Sequence, residues 1–501
     1  MLQGYVCLIG AGPGDPGLIT QKGLEYLRRA DILLYDHLIP GSLLLEVPKT
    51  CERIDVGKKG GQPSAIQSWI NDLLISHARA GKFVVRLKGG DPFLLGRGGE
   101  EAMALVEAGV PYFMVPGISS SLAVPAYAGI PVTDRRFCSG VELTTGFSTR
   151  NVPMPNTKVI LMALNHLQDI ISNLLAQGYA ANTPACLISQ GTTVLQKVVS
   201  GELVQLDSLI QTNPISTPAM LVVGNVVCLG KELEWRYHLP LAGKRILWTR
   251  PFHQNSPCLD DLLVSGAEVI KLPMVEIQAV PEKECRERVV RAREYDYLIF
   301  TSATAVEIFF DTLFKMEEDW RYLGQAKIVV IGKKTGQALW MKGRKPDVTA
   351  APSNSRGLLD TLLPIVKKTE RIALYRAHQT LPGLVEGLFG AEIQFDDFAL
   401  YDLLCPSYPA ELVQKIFEYP FEVIVLTSPL GVANFFRVIT DSGIVLDSQT
   451  RFACLGLGAA NELQKYNFQP WLTIQNPDID ELIKQLLFRL SNHEKPFEED
   501  N

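Results

Sequence analysis

The chain has 501 residues, of which 47% are hydrophobic and 20% are charged, and its formal net charge is -6. This length predicts two to four domains, each with enough apolar residues for a core of its own. The negative net charge gives no general reason to expect a nucleic-acid partner, and binding of an anionic substrate would need a local cluster of cations.

The nine cysteines are scattered from Cys7 to Cys454, and no two form a C-x-x-C pair. This spacing argues against a disulfide framework and against a zinc site, so we expect no metal and a reducing, cytoplasmic location. The first apolar run, YVCLI, has no basic region before it, so no signal peptide is predicted. Prolines interrupt the apolar stretch 115–132, and we expect no membrane span.

The first 240 residues alternate short apolar runs with segments of helical periodicity, a pattern typical of an α/β domain. The predicted strands are VCLIG (6–10), DILLYD (31–36), FVVRLKG (83–89) and PYFMVPG (111–117). The predicted helices cover 23–30, 64–80 and 98–108. Longer β-rich runs at 158–164, 184–189 and 218–229 predict a second lobe with its own sheet.

The loop GAGPGDP, residues 10–16, follows the first predicted strand but departs from the dinucleotide pattern G-x-G-x-x-G. Its third glycine position holds Asp15, which would repel a phosphate, although an aspartate there could cap a helix. Pro13 removes a backbone amide. The loop is therefore expected to hold a ligand without phosphate, and S-adenosylmethionine, a nucleoside with a sulfonium cation, suits it.

Two further glycine-containing segments follow predicted strands. In LKGGDPFLLGRGGEE (87–101), Asp91 can accept hydrogen bonds and Arg97 can reach a carboxylate across a cleft. Glu100 and Glu101 suit the N-terminus of the next helix, and a role at the site competes with simple capping. In VPGISSSLAVPAYAGIPVTDRR (115–136), Ser119 and Ser120 could face a ligand or cap a helix.

Near EWRYHLPLAGKRILWTRP (234–251) the pattern restarts, which predicts a domain boundary at about residue 240. The second half contains an internal repeat. YLIFTSATAVEIFF (297–310) resembles EVIVLTSPLGVANFF (422–436), and IVVIGKKTGQALW (328–340) resembles FACLGLGAANEL (452–463). Two motifs in the same order predict two similar α/β lobes.

Residues 4–230 resemble the tetrapyrrole methyltransferases, and in particular the uroporphyrinogen-III C-methyltransferases. The resemblance rests on GAGPGDPGLIT, YDHL, VGKK, RLKGGDPFLLGRGGEE, VPGISS and YAGIP, which occur in the family's order and spacing. It implies a two-lobed methyltransferase domain over residues 1–240 that acts as a homodimer. It also implies two methyl transfers from S-adenosyl-L-methionine to C2 and C7 of uroporphyrinogen III, giving precorrin-2 for sirohaem or cobalamin.

The same resemblance assigns roles residue by residue. Asp36 would be the proton acceptor and Lys58 the proton donor. The chemistry of the residues in 87–101 adds Arg97 and Glu100 as further catalytic candidates. The expected cofactor-binding residues are Pro13, Gly89, Gly90, Asp91, Leu94, Ser119, Ser120, Met162 and Gly191. The substrate carries eight carboxylates, for which the local cations Lys58, Lys59, Arg97, Arg135 and Arg136 are candidates.

The chain departs from the family at three places. Thr133-Asp134-Arg135 replaces T-H-R, Thr145-Gly146-Phe147 replaces T-G-H, and Ala163 replaces the glycine after Met162. These changes leave the expected cofactor site in place. They make the expected substrate binding and the packing between the two lobes less certain to follow the family pattern.

Residues 243–490 resemble uroporphyrinogen-III synthase in ILWTRP, both T-S turns, IGKKTGQAL and ALYDLL. The implied reaction closes hydroxymethylbilane, inverting one ring, without a cofactor. The implied domain, 241–501, has two α/β lobes joined by a two-stranded connector. Lobe one covers about 243–284 and 404–490, and lobe two about 285–398.

Hydroxyls and arginines supply the candidate contacts of the second half. The candidates for binding substrate carboxylates are Arg250, Thr301, Ser302, Arg376, Thr427 and Ser428. Tyr401 could assist departure of the bilane hydroxyl, with core packing as the equal alternative. The family's second I-G-P-T-T turn is Leu455-Gly456-Leu457-Gly458-Ala459, which lacks both threonines. The synthase half is therefore either active or a degraded scaffold.

Two other functions stay open for the first half. A methyltransferase acting on a later precorrin is one, although VGKK and GRGGEE argue against it. The other is a non-catalytic sensor of S-adenosylmethionine or of a tetrapyrrole, against which the intact Asp36, Lys58 and Arg97 count.

Overall fold

The computed structural model describes residues 4–57, 67–138, 140–145, 156–251, 258–379 and 383–491. Lys58 and Lys59 lie outside these ranges, as do Gly146 and Phe147. Residues up to Leu272 and from Tyr408 onward form one compact unit, and Pro273–Ser407 form a second. Within the described ranges, no helix combines the length and apolar character needed to cross a bilayer.

Residues 4–127 form a five-stranded parallel sheet with helices between the strands, as the α/β pattern predicts. The strands are β1 Tyr5–Gly10, β2 Ile32–Tyr35, β3 Glu52–Asp55, β4 Phe83–Lys88 and β5 Tyr112–Val115. The helices are α1 Gln21–Leu27, α2 Gly41–Leu44, α3 Gln67–Arg79, α4 Gly98–Glu107 and α5 Ser120–Tyr127. The sheet order is β3-β2-β4-β1-β5, with every neighbouring pair parallel.

This strand order brings particular loops together. After β1 the chain turns towards β2 and β3, whereas after β4 it crosses to β5 on the other side of β1. The order therefore reverses between β1 and β4, and ligands of open α/β sheets bind at the carboxyl ends of strands at such a point. The loops after β1, β4 and β5 all end at this edge.

A second, mixed sheet follows, with order β6-β7-β10-β8-β9. Its strands are β6 Val141–Thr145, β7 Thr157–Leu161, β8 Pro184–Ser189, β9 Lys197–Glu202 and β10 Ala219–Val223, and its helices are α6 Leu167–Ala176 and α7 Leu206–Thr212. The predicted β-rich run 218–229 is wrong beyond Val223. Gly224, at φ 139°, ends the strand, and a 3-10 helix covers Asn225–Leu229.

After residue 240 the chain begins a third sheet with β11 Arg245–Trp248, α8 Leu259–Val264 and β12 Glu268–Lys271. It then builds the second compact unit around a six-stranded sheet. The strands are β13 Glu276–Ala279, β14 Tyr297–Phe300, β15 Lys327–Val330, β16 Val348–Thr349, β17 Arg371–Ala377 and β18 Gln394–Leu404. The helices are α9 Glu282–Val290, α10 Ala303–Lys315, α11 Lys333–Met341, α12 Ser355–Leu362 and α13 Leu384–Gly390. The strand order is β13-β18-β17-β14-β15-β16.

The chain enters and leaves this second unit through a two-stranded ribbon. β13 pairs antiparallel with the last residues of β18, with Glu276 opposite Leu404 and Ala279 opposite Tyr401. The remaining strand pairs of the sheet are parallel.

The chain then returns to the third sheet of the first unit, whose order is β12-β11-β19-β20-β21. The returning elements are α14 Ala410–Ile416, β19 Val423–Leu426, α15 Pro429–Asp441, β20 Phe452–Leu455, α16 Leu457–Gln464, β21 Leu472–Ile474 and α17 Ile479–Ser491. All of its strand pairs are parallel, and its core includes Trp248, which is fully buried.

The internal repeat of the sequence is visible in backbone geometry. Ser302 precedes α10 with φ -157° and ψ 156°, and Ser428 precedes α15 with φ -159° and ψ 156°. Each hydroxyl accepts a hydrogen bond from the amide three residues later, at 3.0 Å from Ala305 and 3.1 Å from Gly431. Both copies of the T-S turn therefore join a buried strand to a 13-residue helix through the same serine cap.

Candidate functional site

Three loops of the first sheet meet through glycines at its reversal point. A Cβ atom on Gly117 would lie 2.2 Å from the carbonyl oxygen of Gly90 and 2.6 Å from the Cα of Gly10. Gly12 and Gly90 also exchange backbone hydrogen bonds, of 2.7 Å and 3.3 Å. Any side chain at these contacts would push the loops apart, so glycine is required for their close approach.

Asp15 ties the first of these loops to the rest of the domain. Its Oδ1 accepts from the Gly17 amide at 2.8 Å and so caps the 3-10 helix Pro16–Leu18, the capping role that the sequence left open. Its Oδ2 accepts from the Tyr127 hydroxyl at 2.9 Å. The backbone amide of Asp15 donates to Oγ1 of Thr192 at 3.0 Å, which links the loop to the second sheet.

The loop after β8 completes this junction between the two sheets. Gly14 has φ 148°, and a Cβ atom on it would lie 3.0 Å from Thr192 Oγ1. A Cβ on Gly191 would lie 2.2 Å from Cγ1 of Val124 in α5. β7 and β8 both pair antiparallel with β10, so their carboxyl ends, and with them Met162 and Gly191, share one edge of the second sheet. Met162 itself has φ 56° and is 57% exposed.

Two of the remaining cofactor candidates, Asp91 and Ser119, also form hydrogen bonds that stabilise the loops in which they lie. Asp91 accepts from the amides of Phe93 at 2.8 Å and Gly117 at 3.0 Å. Ser119 is buried, caps α5 and lies 2.8 Å from the Ser121 hydroxyl. Three candidates complete the group at this edge: half-buried Leu94 and Ser120, and Pro13 in the first loop.

This edge fits the nucleoside cation that the resemblance implies. A Cβ on Gly89 would meet no atom within 4 Å, so there is open space beside the packed glycines. Asp15 and Asp91 bring negative charge, and Pro13 offers no amide, which disfavours a diphosphate and tolerates a sulfonium. The residues that would hold S-adenosylmethionine here are the three glycine loops, Met162 and the loop at Gly191.

A buried chain of four charged side chains lies at the ends of β2 and β4. Arg86 donates to Asp36 at 2.5 Å through Nη2 and to Glu101 at 3.1 Å through Nε. Lys88 Nζ also contacts Glu101 Oε1, at 3.1 Å. Arg86 and Glu101 are buried, whereas the side chain of Asp36 is 32% exposed. We call this set the Asp36–Arg86–Glu101–Lys88 cluster.

The surroundings of this cluster shift the pKa values of its two cations in opposite directions. Burial by itself would lower the pKa of Arg86, but the carboxylates of Asp36 and Glu101 raise it above its ordinary value. Burial, together with the charge of Arg86, lowers the pKa of Lys88 despite the opposing effect of Glu101. Glu101 Oε2 is buried without a hydrogen-bond partner among the described residues. The cluster thus leaves Asp36 as its solvent-facing carboxylate.

Sequence reasoning missed Arg86 and Lys88 as parts of the site, and it left Glu101 open between a role at the site and simple capping. The sequence did contain a signal: FVVRLKG is an otherwise apolar strand, buried on both faces, that carries two cations two residues apart.

Arg97 and Glu100, by contrast, form an exposed ion pair of 2.7 Å in which Glu100 raises the pKa of Arg97 through a hydrogen bond. Arg135 is exposed.

The synthase candidates fall in both compact units. In the first unit, Arg250 and Thr427 follow the paired strands β11 and β19, and Ser428 caps α15. Arg250 Nη1 is buried and has no hydrogen-bond partner in the described part of the chain. Burial lowers the pKa of Arg250, although Asp480 opposes the shift. A half-buried guanidinium whose buried nitrogen has an open donor is well suited to an anion.

In the second unit, Tyr401 and Ser302 lie together. The Tyr401 hydroxyl is 2.9 Å from Ser302 Oγ, and the tyrosine is only 5% exposed. Burial raises the pKa of Tyr401, against the hydrogen bonds from Ser302 and Thr304. Thr301 precedes this pair in the strand-end turn.

Arg376 is buried at the end of β17, where Asp397 and two carbonyl groups accept its hydrogen bonds. It lines a pocket of about 520 Å³ in the second unit, together with Arg288 and His378.

The chain matches two protein families. Residues 5–207 match the family described as tetrapyrrole (corrin/porphyrin) methylases, and residues 260–484 match uroporphyrinogen-III synthase HemD. A porphyrin biosynthesis protein HemD of Ruminiclostridium josui is 33% identical over 499 residues, covering 97% of this chain and 98% of that protein. A uroporphyrinogen-III C-methyltransferase of Bacillus subtilis is 32% identical over 444 residues, covering 86% and 90%.

A third relative matches about half of the chain. Siroheme synthase 2 of Klebsiella pneumoniae is 44% identical over 241 residues, which cover 46% of this chain and 52% of that protein. The two family matches occupy separate parts of the chain, residues 5–207 and residues 260–484.

The glycine contacts generate a stability prediction. Gly117→Ala should lower the free energy of unfolding by about 1–3 kcal/mol, because its Cβ would collide with backbone atoms that cannot rotate away. The matched control is Gly99→Ala in α4, where a Cβ meets nothing within 4 Å and alanine favours the helix. Urea unfolding measures both. Equal midpoints for the two variants would contradict the packing account.

Proposed function

Because the chain belongs to the tetrapyrrole methylases, with a uroporphyrinogen-III synthase domain fused behind the methylase domain, we propose that it makes uroporphyrinogen III and then methylates it. The protein is an enzyme, and S-adenosyl-L-methionine is its methyl donor. The finer proposal is closure of hydroxymethylbilane to uroporphyrinogen III, followed by methylation at C2 and C7 to precorrin-2. The observation that carries it is the solvent-facing Asp36 carboxylate beside the glycine loops.

The first step of methyl transfer needs alignment more than acid or base. A pyrrole carbon of the reduced macrocycle is already electron-rich, and S-adenosylmethionine supplies an electrophilic methyl group. Orienting two reactants in a shared site can contribute about 7–11 kcal/mol in favourable intramolecular models. The three glycine loops and the Gly191 loop would provide that orientation.

Once the new carbon–carbon bond has formed, the ring must lose a proton to restore its neutral state. Asp36 is suited to accept it, because Arg86 holds one carboxylate oxygen at 2.5 Å and the side chain remains 32% exposed. Lys58 is proposed as the proton donor and lies outside the described residues. Lys59, the exposed Arg135 and the Arg97–Glu100 pair would meet the substrate's carboxylates.

The synthase reaction would use neutral hydroxyls, the half-buried Arg250 and the buried Arg376. Ser302, Ser428 and the threonines before them sit at helix N-termini, where amides and hydroxyls favour carboxylates. Arg250 offers an unused buried donor. Tyr401, paired with Ser302, is the proposed aid to hydroxyl departure from the bilane.

A second candidate is a methyltransferase whose synthase half is only a scaffold. It is favoured by the turn at Leu455–Ala459, where Gly458 lies against Pro429 and Ala459 is buried. Neither residue carries the hydroxyl that the synthase family has there. The homodimer implied by the resemblance and the cytoplasmic location expected from the scattered cysteines are also proposals, and light scattering of the purified chain tests the first.

Product analysis separates these possibilities. Purified protein given hydroxymethylbilane alone should form uroporphyrinogen III. Added S-adenosylmethionine should raise the product mass by two CH2 units, because each added methyl group is accompanied by the loss of one proton. Formation of only the uninverted isomer from the bilane, with methylation of supplied uroporphyrinogen III, would select the scaffold reading. Cofactor binding with no methylated product from any tetrapyrrole would contradict the proposed function and support a sensor.

Asp36→Asn should lower kcat for methyl transfer by about 100-fold or more, because the amide keeps the contact with Arg86 but cannot accept the proton. The dissociation constant for S-adenosylmethionine should change less than twofold. Asp72→Asn, at an exposed position of α3, is the matched control and should behave as wild type. Steady-state kinetics with calorimetric cofactor binding gives both quantities. Full activity of Asp36→Asn would remove Asp36 from the mechanism.

Arg97→Ala should weaken binding of the macrocycle and leave the rate of methyl transfer unchanged. Loss of one exposed charge contact, worth about 1 kcal/mol, corresponds to an increase of about fivefold in KM for uroporphyrinogen III at unchanged kcat. Arg321→Ala is the control, since Arg321 is also an exposed arginine paired with a nearby aspartate, Asp319. An unchanged KM in Arg97→Ala would exclude this role.

A further inference from the structure

A helix of the synthase half packs directly on the methyltransferase loop that carries Asp36. In the first compact unit, α14 lies against α2, and a Cβ on Gly41 would be 3.0 Å from Cγ1 of Ile416. The ammonium group of Lys415 donates a hydrogen bond to the carbonyl oxygen of His37. His37 is the residue immediately after Asp36.

The surroundings of Lys415 show that this contact is built into the interface. Burial lowers the pKa of Lys415, against the attraction of Asp55 and Glu418. Asp55 ends β3, accepts from the Gly57 amide at 2.8 Å and lies 3.6 Å from Nδ1 of His37. A cation taken out of water needs acceptors. Lys415 has the His37 carbonyl in the loop after β2 as its acceptor, and the charge of Asp55 at the end of β3 attracts it.

Asp36 is consequently held from two directions. Arg86 holds its carboxylate from the core side, at 2.5 Å. Its backbone amide donates to Leu87 at 3.3 Å, and its carbonyl accepts from Ile39 at 3.1 Å, within the loop whose His37 carbonyl is bound by Lys415. Any shift of His37 therefore moves the backbone that carries the Asp36 side chain.

We propose that Lys415 is a positioning residue for methyl transfer, supplied by the synthase half to the methyltransferase half. It fixes the loop 36–40 so that Asp36 meets the macrocycle in one orientation. This inference rests on the proposed role of Asp36 as proton acceptor. It also gives the fusion a physical consequence, because the methyltransferase site is complete only when the helix of the synthase half is docked on it.

Lys415→Met in the full chain removes the donor and keeps most of the apolar stem. We expect kcat for methyl transfer to fall by about three- to tenfold, with KM for uroporphyrinogen III and the dissociation constant for S-adenosylmethionine unchanged. Lys465→Met is the matched control, because Lys465 is exposed in the same sheet region and pairs only with nearby Glu462 among the described residues. Unchanged kcat in Lys415→Met would overturn the inference.

A purely structural effect has a different signature. Misfolding would lower the thermal midpoint and weaken cofactor binding together with kcat, and that result would also count against positioning. Gly41→Leu, which should push Ile416 and α14 away from α2, provides a second test and should reproduce the fall in kcat.

A double variant separates this inference from the proposed function. If Lys415 acts through Asp36, Lys415→Met should cause no further loss of kcat in the Asp36→Asn background, since coupled residues are not additive. Independent, multiplied losses would overturn the positioning role while leaving Asp36 catalytic. Full activity of Asp36→Asn alone would instead contradict the proposed function on which the inference rests.

Discussion

The buried Asp36–Arg86–Glu101–Lys88 cluster is the constraint on which the methyltransferase site depends. Two anions and two cations lie at the ends of β2 and β4 and on α4, and Glu101 is fully buried. Desolvating such charges is costly, and removing one partner leaves the others uncompensated. The cluster therefore has a defined arrangement, and its exposed end, Asp36, has a defined position relative to β4 and to the glycine loops that follow it.

The glycine contacts place the expected cofactor-binding loops next to one another at the edge of the sheet near Asp36. Gly10, Gly90 and Gly117 let three loops touch where the strand order reverses, and Asp15 extends the junction to Thr192 in the second sheet. The groups that would hold the methyl donor and the group that would accept the proton consequently belong to one connected framework. The helix α14, with Lys415 on the His37 carbonyl, extends that framework into the synthase half.

The sequence predicted the α/β class, the main strands and the loops around the site, because short apolar runs and glycines report local geometry. The resemblance rightly indicated both families. The polar strand β3, with sequence ERID, was missed because it lacks apolar alternation. Asn225–Leu229 was misread as strand because apolar content alone does not reveal the turn at Gly224.

The roles of individual side chains were harder to predict from the sequence than the positions of the loops. Asp91 and Ser119 were singled out as cofactor candidates. In the structure, Asp91 accepts from the Gly117 amide in a neighbouring loop, and Ser119 accepts from the Ser121 amide in the first turn of its own helix. Arg86 and Glu101 are 15 positions apart, and their pairing arises only when α4 packs on β4. Distances of this kind depend on tertiary packing and have no local signature in the sequence.

A crystal structure of the full chain with S-adenosylhomocysteine would test the central claim most directly. The account predicts the nucleoside seated among the loops at Pro13, Gly89 and Gly191, with the sulfur facing the open side where the Asp36 carboxylate emerges from its contact with Arg86. A nucleoside bound elsewhere, or an Asp36 carboxylate turned away from the sulfur and closed off from any macrocycle, would contradict it.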